Sequence, residues 1–499
     1  MDNIEQCAEK IVDNLDKEIV IVADIDCDGV TAAAFMKNYL SNFNNGVKII
    51  HAQRSDGHGV DYVLDQISKD IDLLIIVDSS SNDSETCRMI KEEFDVEIVI
   101  IDHHEIEKKN NFATVVNCMQ GDYPNRFLSG SAMVWKVCTV LDDKLNTKLA
   151  DDYIDLAGVG LIGDMMNLSV PENRYIVYKA INNIKNSGLS YIIQKKKINK
   201  IDSMAIGFNI APLINASARL DKLELGIKML TTSDGQELEE CFDELMYMNV
   251  ERMNTEKTMT EKAKNQMVDA GSFVYVIENL QDEKIDLKLT SGYRGLIANK
   301  LAQQTQKPVF VLKGGIYDKV KTYAGSARSY NNIPFLNACL DTGLFNFANG
   351  HSSAFGVGFN QDKLDDVVNA LNEKLKELVQ ESLYEYDLDV KREDCDMHLA
   401  KELEKFNTIS GTGFPSAKIM VKNLNVDSID VLGKNNDTIK ITSNQMSLML
   451  FKVNPNDVDI GVFDEIDVVG LIGVNEWQKW NGEVIRTLQI IIDDYKVLE

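Results

Sequence analysis

The chain has 499 residues, 44% of them hydrophobic, and a net charge of -26. That length exceeds a single core and predicts two to four domains with ample apolar interior. The acidic balance argues at first sight against a nucleic-acid binder and predicts weak, salt-sensitive binding to bulk duplex, since phosphate neutralisation supplies most non-specific affinity. No stretch approaches the roughly 20 apolar residues of a membrane span, and Met1-Asp2-Asn3-Ile4-Glu5 does not open a signal peptide, so a cytoplasmic protein with no membrane partner is expected. The eight cysteines are scattered without a Cys-x-x-Cys pair, which argues against a zinc site or a disulfide framework and for buried, reduced thiols.

In chain order, residues 1 to about 200 alternate short apolar runs with amphipathic helical patterns, the signature of a parallel α/β domain. Three of these runs end in acidic or imidazole groups: Asp24-Ile25-Asp26-Cys27-Asp28-Gly29, Asp78 after Leu73 to Val77, and Asp102-His103-His104 after Ile98 to Ile101. Ligands bind at the carboxyl ends of strands in open parallel sheets, so these side chains should converge on one sheet edge. Asp24, Asp26 and Asp28 would share one face of an extended strand end, with Gly29 permitting a tight turn into the helix predicted from Val30 to Leu40. A fourth aspartate, Asp164, follows the apolar run Leu156 to Ile162. Clustered carboxylates with one or two imidazoles suit a pair of divalent cations and two-metal phosphoester hydrolysis.

Residues 234 to 270 lack proline and, after Gly235, glycine, until the end of what reads as one long charged helix. A second mixed α/β unit follows to about 385, and the cleft between the two units is the expected substrate channel. Two basic patches stand out in the acidic chain: Lys195-Lys196-Lys197 with Lys200, and Lys313, Lys319, Lys321 with Arg328. The last hundred residues read as five strands, Lys418 to Asn423, Thr438 to Thr442, Ser447 to Val453, Glu465 to Val474 and Val484 to Tyr495. Five short strands closing on themselves suggest an OB-type barrel, with Trp477, Trp480 and Phe451 either stacking platforms for bases, or barrel core or a protein contact.

The ordered series of motifs resembles the DHH phosphoesterase superfamily, which is named after its Asp-His-His segment, here Asp102-His103-His104. Within it the chain resembles the RecJ family of single-strand-specific exonucleases. The resemblance extends to Asn215-Ala216-Ser217-Ala218-Arg219, Gly292-Tyr293-Arg294-Gly295, Gly325-Ser326-Ala327-Arg328 and Asn349-Gly350-His351. Thr487 to Asp494 is similar to the closing strand of the RecJ OB domain, which short DHH oligonucleotidases and pyrophosphatases lack. The implied organisation is a DHH domain (1–200), a connecting segment with a long helix (201–270), a smaller α/β DHHA1 substrate-binding domain (271–385) and an OB-fold nucleic-acid-binding domain (386–499).

The resemblance also implies roles. Two divalent cations, Mn2+ expected and Mg2+ the alternative, would share Asp78 as a bridging ligand, with Asp26, Asp28, His103 and Asp164 completing the set. Asp24 and Asp102 would ligate or orient ligands, and His104 would hydrogen-bond the phosphate or the leaving oxygen. Arg219, Ser326, Arg328, Gly350 and His351 would bind the 5'-terminal phosphate and first nucleotides. The implied reaction is 5'-to-3' hydrolysis of single-stranded DNA to 5'-mononucleotides in recombination and repair, by a monomer recruited through a single-strand-binding protein or a helicase. The alternatives are a DHH phosphodiesterase of short oligoribonucleotides or cyclic dinucleotides, and a non-catalytic RecJ-like replication scaffold.

Several positions depart from the family pattern. Ser79-Ser80 replaces Cys-Gly after the second-motif aspartate, Gly163-Asp164-Met165-Met166-Asn167 replaces Ala-Asp-x-x-Pro, Ala218 stands where glycine precedes the arginine, and Asn349 replaces a glycine. These departures bear on loop geometry and leave every expected metal ligand in place.

Overall fold

A computed structural model describes residues 1–54, 56–278, 287–317, 319–330, 333–378 and 385–498. The chain forms two compact units, Met1–Met246 together with Tyr384–Glu499, and Tyr247–Leu383.

The first unit begins with α1 (Ile4–Val12), followed by β1 (Ile19–Ala23), α2 (Cys27–Leu40), β2 (Lys48–His51), β3 (Leu73–Val77), α3 (Ser84–Phe94), β4 (Glu97–Asp102) and β5 (Thr114–Asn117). All strand pairs are parallel and the order is β2-β1-β3-β4-β5. β1 and β3 are buried along their whole length, as strands covered on both faces must be, which is why they read as unbroken runs of Ile, Leu and Val. The strand order reverses between β1 and β3, so their carboxyl ends open the crevice in which such sheets bind ligands.

The sheet is followed by α4 (Gly130–Leu145), α5 (Ile154–Gly163), α6 (Pro171–Ile181) and α7 (Ser187–Lys195). Residues 203–219 then run through α8 (Ser203–Ala205), a π-turn (Ile206–Ile210) and α9 (Ala211–Arg219), and α10 (Leu223–Thr231) leads into α11 (Gly235–Asn265). The boundary between the two units falls within α11.

The second unit contains β6 (Val268–Asp269), β7 (Val274–Glu278), α12 (Leu287–Thr305), β8 (Val309–Tyr317), β9 (Val320–Arg328), α13 (Phe335–Thr342), β10 (Phe347–His351), β11 (Ala354–Asn360) and α14 (Leu364–Leu378). Its sheet has the order β10-β11-β9-β8-β7-β6. Phe273, Phe310, Phe335, Phe355 and Phe359 form the aromatic part of its core.

The C-terminal part of the first unit comprises β12 (Leu388–Val390), α15 (Met397–Phe406), β13 (Ile419–Asn425), β14 (Ser428–Leu432), β15 (Thr438–Ser443), β16 (Met446–Phe451), β17 (Glu465–Gln478) and β18 (Val484–Leu498). Seven strands, not five, form one sheet in the order β12-β13-β17-β18-β16-β15-β14. β12 and β14 are the strands the sequence pattern did not resolve; β14, as an edge strand, is largely exposed and lacks an alternating apolar face. The two end strands are not paired with each other among the described residues, so the sheet is open there. Trp477 is half-exposed and Trp480 fully exposed, so neither is core; Phe451 is also exposed.

No helix among the described residues is long and apolar enough to cross a membrane.

Candidate metal centre

The centre is assembled where β1, β3 and β4 end. Asp24 continues from β1, and Asp26 then caps α2, its Oδ1 accepting from Asp28 N at 2.9 Å and Gly29 N at 3.1 Å. A Cβ on Gly29 would lie 2.6 Å from the carbonyl carbon of Asp24, so the helix can fold back over Asp24 only without a side chain there. Close approach, not turn conformation, is the reason for this glycine.

The aspartates at 24, 26 and 28 do not share a strand face, because the strand has ended before Asp26. Asp28 lies in the first turn of α2 and reaches across to the start of α4, accepting from Gly130 N at 2.5 Å and Ser131 N at 3.1 Å. A buried carboxylate at a helix N-terminus is stabilised by the free N–H groups and the helix dipole.

Asp78 follows β3 with φ of 65°, a left-handed conformation uncommon outside glycine, while its N–H still bonds Ile101 O at 2.9 Å. That twist turns the carboxylate into the crevice. His103 Nε2 stands 3.2 Å from Asp78 Oδ1 and 3.6 Å from Asp164 Oδ2. Asp164 ends α5 as its C-cap, so the apolar run before it is a helix where β1, β3 and β4 are strands.

Three sets of ligand atoms each lie within 4.8 Å of one another: Asp24, Asp26 and Asp78; Asp28, His103 and Asp164; and Asp78, His103 and His104. Asp78 belongs to two of these sets. Asp24 Oδ1 and Asp78 Oδ1 are buried and accept no well-aligned hydrogen bond among the described residues, with only the imidazoles of His58 at 3.4 Å and His103 at 3.2 Å beside them, and a bound cation would complete their coordination. Burial, then the charges of the neighbouring aspartates, pushes the Asp78 and Asp164 carboxyls well above the usual carboxylate range. Burial, and next His104, keeps His103 below the ordinary imidazole value, so it presents a neutral ring nitrogen. Hard oxygen donors with one neutral imidazole fit divalent cations such as Mn2+ or Mg2+.

Asp102 is placed differently. Its Oδ1 accepts from His103 N at 2.7 Å, His104 N at 3.2 Å and His104 Nδ1 at 2.8 Å, and its Oδ2 from Ser81 N at 3.2 Å. It stands outside all three ligand sets and orients His104. Burial would raise the Asp102 carboxyl, but the His104 bond and the imidazoles outweigh it and hold it well below the usual range. For His104 burial works against the charge; the Asp102 bond and the charges of Asp102, Asp24 and Asp164 win and carry its pKa up to about 9.

Sequence reasoning missed three supporting residues. His58 Nδ1 lies 3.4 Å from Asp24 Oδ1. Its only signal is the glycine-flanked segment Gly57-His58-Gly59, which reads equally as a loop. Ser80, a departure from the family pattern, accepts from Val60 N at 2.9 Å and so ties this loop to the turn after β3. Asn117, at the end of β5, donates to His104 O at 2.9 Å and Ser81 Oγ at 3.1 Å.

Asn215 of the Asn-Ala-x-x-Arg segment accepts from Cys27 N at 3.0 Å and fixes the Asp26–Asp28 turn, with Arg219 half-buried at the end of the same helix. In the second unit, β11 pairs with both β9 and β10, setting Gly356 opposite Ser326, Ala354 opposite Arg328 and Phe355 opposite Gly350. Arg328 donates to Ala327 O at 2.7 Å, and its guanidinium lies over Gly295, where a Cβ would stand 2.6 Å from Nη2. His351 ends β10, and its side chain lies outside the described residues.

Residues 18–161 match the DHH family, N-terminal domain, and residues 386–494 match the RecJ OB domain. The chain is RecJ-like. Across its whole length it is 27% identical to a Bacillus subtilis protein provisionally named an SPbeta prophage-derived single-strand DNA-specific exonuclease, covering 91% of that relative. It is 26% identical to the single-stranded-DNA-specific exonuclease RecJ of Bacillus subtilis, again over the whole chain, but spans only 64% of that protein. The fold superimposes on a crystal structure of Thermus thermophilus RecJ in complex with Mn2+ with a TM-score of 0.79 at 21% identity, covering all of this chain and 72% of the other. A second Thermus RecJ structure, in complex with Mg2+, gives 0.73. The chain is thus similar to DHH-family proteins named as nucleases, and the match to the RecJ OB domain covers most of the C-terminal sheet.

Proposed function

We propose that this chain is a divalent-metal-dependent exonuclease that hydrolyses single-stranded DNA from its 5' end to 5'-mononucleotides. The observation that carries the proposal is the buried carboxylate–imidazole cluster around Asp78, whose ligand atoms fall into three sets each within 4.8 Å. The exonuclease names of the relatives support the choice of substrate.

Asp24, Asp26, Asp28, Asp78, His103 and Asp164 are the residues that would hold two divalent cations, Mn2+ first and Mg2+ as the alternative. When bound, such cations polarise a phosphate and lower the pKa of water at neutral pH. His104, fixed at Nδ1 by Asp102, keeps Nε2 for the substrate and, as a cation, suits a phosphate oxygen or the leaving 3' oxygen. Hydrolysis breaks the bond from phosphorus to that 3' oxygen and leaves the phosphate on the next nucleotide. In the second unit Arg328, Ser326 and the backbone at Gly350 would supply donors and close approach for a 5'-terminal phosphate, with His351 as a further candidate, and in the first unit Arg219 is a separate candidate for a phosphate oxygen.

The test is Mn2+-dependent digestion of single-stranded DNA labelled at either end, beside duplex DNA, short RNA and an Asp78→Ala control. Mononucleotides released at once from the 5' label, with duplex spared and the control inactive, is the expected result. Activity on two- to five-nucleotide RNA alone would reassign the chain to oligoribonucleotide hydrolysis, and inactivity on every substrate would reassign it as a scaffold.

A further inference from the structure

The turn between α15 and β13 of the C-terminal domain packs against the parallel-sheet part of the same unit. Residues 411–414, Gly-Thr-Gly-Phe, form a tight turn closed by bonds between Gly411 and Phe414 at 2.8 and 3.0 Å, with Gly413 at φ of 71°. Thr412 O accepts from Leu168 N at 2.7 Å, four residues beyond Asp164. A Cβ on Gly413 would overlap Asn167 Oδ1, and one on Gly411 would stand 2.7 Å from Leu168 Cδ1. The Arg174 guanidinium stacks on the Phe414 ring at 4.5 Å while donating to Leu168 O and Ser169 O, both at 2.7 Å. Ser203, at the start of the helix that carries Asn215 and Arg219, donates its hydroxyl to Ser410 O. Ile409 and Phe414 pack against the core of the parallel-sheet domain.

The Asp164 loop is closed at its start by bonds back to α5, from Asp164 N to Gly160 O at 2.8 Å, Met165 N to Ile162 O at 3.1 Å and Met166 N to Leu161 O at 3.1 Å, and beyond Asn167 it depends on other segments. Asp164 terminates a helix, Met165 is exposed with φ of 56°, and the loop regains burial only at Met166 and Leu168. The partners that fix Leu168 come from Arg174 and from the 410–414 segment. Outer residues that orient a metal ligand commonly change metal affinity 10- to 100-fold when removed.

We infer that the 410–414 turn is a positioning strap for Asp164, so that a segment of the C-terminal domain, between α15 and β13, tunes metal binding at the catalytic centre. This rests on the reading of Asp164 as a metal ligand. Phe414 and Gly413 are the positioning residues, acting through Arg174, Asn167 and Leu168.

The experiment is Mn2+ titration of the full-length protein, followed by the electron paramagnetic resonance of free Mn2+, for wild type, Phe414→Ala, Phe414→Tyr and Gly413→Ala. Steady-state hydrolysis of a trinucleotide and of a long single strand is measured alongside. The expected result is about a tenfold loss of affinity for part of the bound Mn2+ in Phe414→Ala and Gly413→Ala, with lower kcat on both substrates, unchanged KM for the long strand and recovery in Phe414→Tyr. Wild-type Mn2+ affinity in Phe414→Ala with a raised KM for the long strand would overturn the inference, since the turn would then serve only the C-terminal domain. Equal loss of Mn2+ affinity in Phe414→Tyr would also overturn it. If wild type binds Mn2+ but cleaves neither substrate, the nuclease reading fails while the metal titration still decides the role of the strap.

Discussion

Gly130 leaves no room for a side chain beside Asp78: a Cβ there would stand 2.5 Å from Asp78 Cβ and overlap Oδ1. The same residue donates its N–H to Asp28, so one glycine sets the separation of two aspartates from different loops. Gly130→Ala should therefore spread the cluster without unfolding the domain. The expected outcome is a 10- to 100-fold loss of Mn2+ affinity by calorimetric titration, with single-stranded DNA binding in the absence of metal unchanged.

Burial, and next the charges of neighbouring aspartates, penalise ionisation of Asp78 and Asp164, so without cations an ionised carboxylate there opposes folding. Asp78→Asn replaces the ionisable carboxyl at nearly constant shape. In chelator-treated protein its Tm should exceed that of wild type, by roughly 2–4 °C if about 1 kcal/mol of that penalty is relieved. The stabilisation that added Mn2+ gives wild type should shrink in the variant, and an unchanged Mn2+ effect would remove Asp78 from the ligand set.

Asp102 orients His104 through a 2.8 Å bond and takes no part in the ligand sets. Asp102→Asn should lower kcat by about 10²-fold, the lower range for a positioned acid–base group, while leaving Mn2+ affinity at the wild-type value. Loss of Mn2+ binding in that variant would make Asp102 a ligand after all.

Trp477 and Trp480 project from the end of the β17–β18 hairpin. If they stack on bases, their replacement by alanine should raise KM for long single strands, on the order of 1–3 kcal/mol per base lost. Hydrolysis of a trinucleotide should not change, and equal effects on both substrates would contradict the stacking role.

The far end of α4 is held by Asp142, which accepts from Leu149 N at 3.0 Å, Ala150 N at 2.8 Å, the Thr147 hydroxyl at 2.5 Å and the Tyr39 hydroxyl at 3.1 Å. Burial would raise this carboxyl, but the Thr147 and backbone bonds outweigh it and lower its pKa. A depressed folded-state pKa adds stability that is present above the ordinary carboxylate value near 4 and lost as pH falls through the folded value. Asp142→Asn should thus cost about 1.5–3 kcal/mol at pH 7 in denaturant unfolding, with the gap to wild type narrowing in acid.

The sequence alone determined the sheet and the composition of the site. Short uninterrupted Ile, Leu and Val runs suit strands covered on both faces, and the acidic and imidazole residues that follow such strands gather at one edge. The convergence of Asp78, His103 and the aspartates at 24, 26 and 28 was legible for that reason, as was the strand-rich C-terminal region, whereas Asp164 follows a helix.

Tertiary structure alone decided which carboxylate does what. The resemblance made Asp28 a ligand and left Asp102 to ligate or to orient; Asp28 is aimed at the start of α4 beside His103 and Asp164, whereas Asp102 is consumed by Ser81, His103 and His104. His58, Gly130 and the 410–414 turn act through neighbours 34 to about 250 residues away in the chain, as His58 does on Asp24 and the turn on Leu168. Sequence periodicity reports the face a residue presents within its own element, and contacts closed by long loops leave no periodic trace.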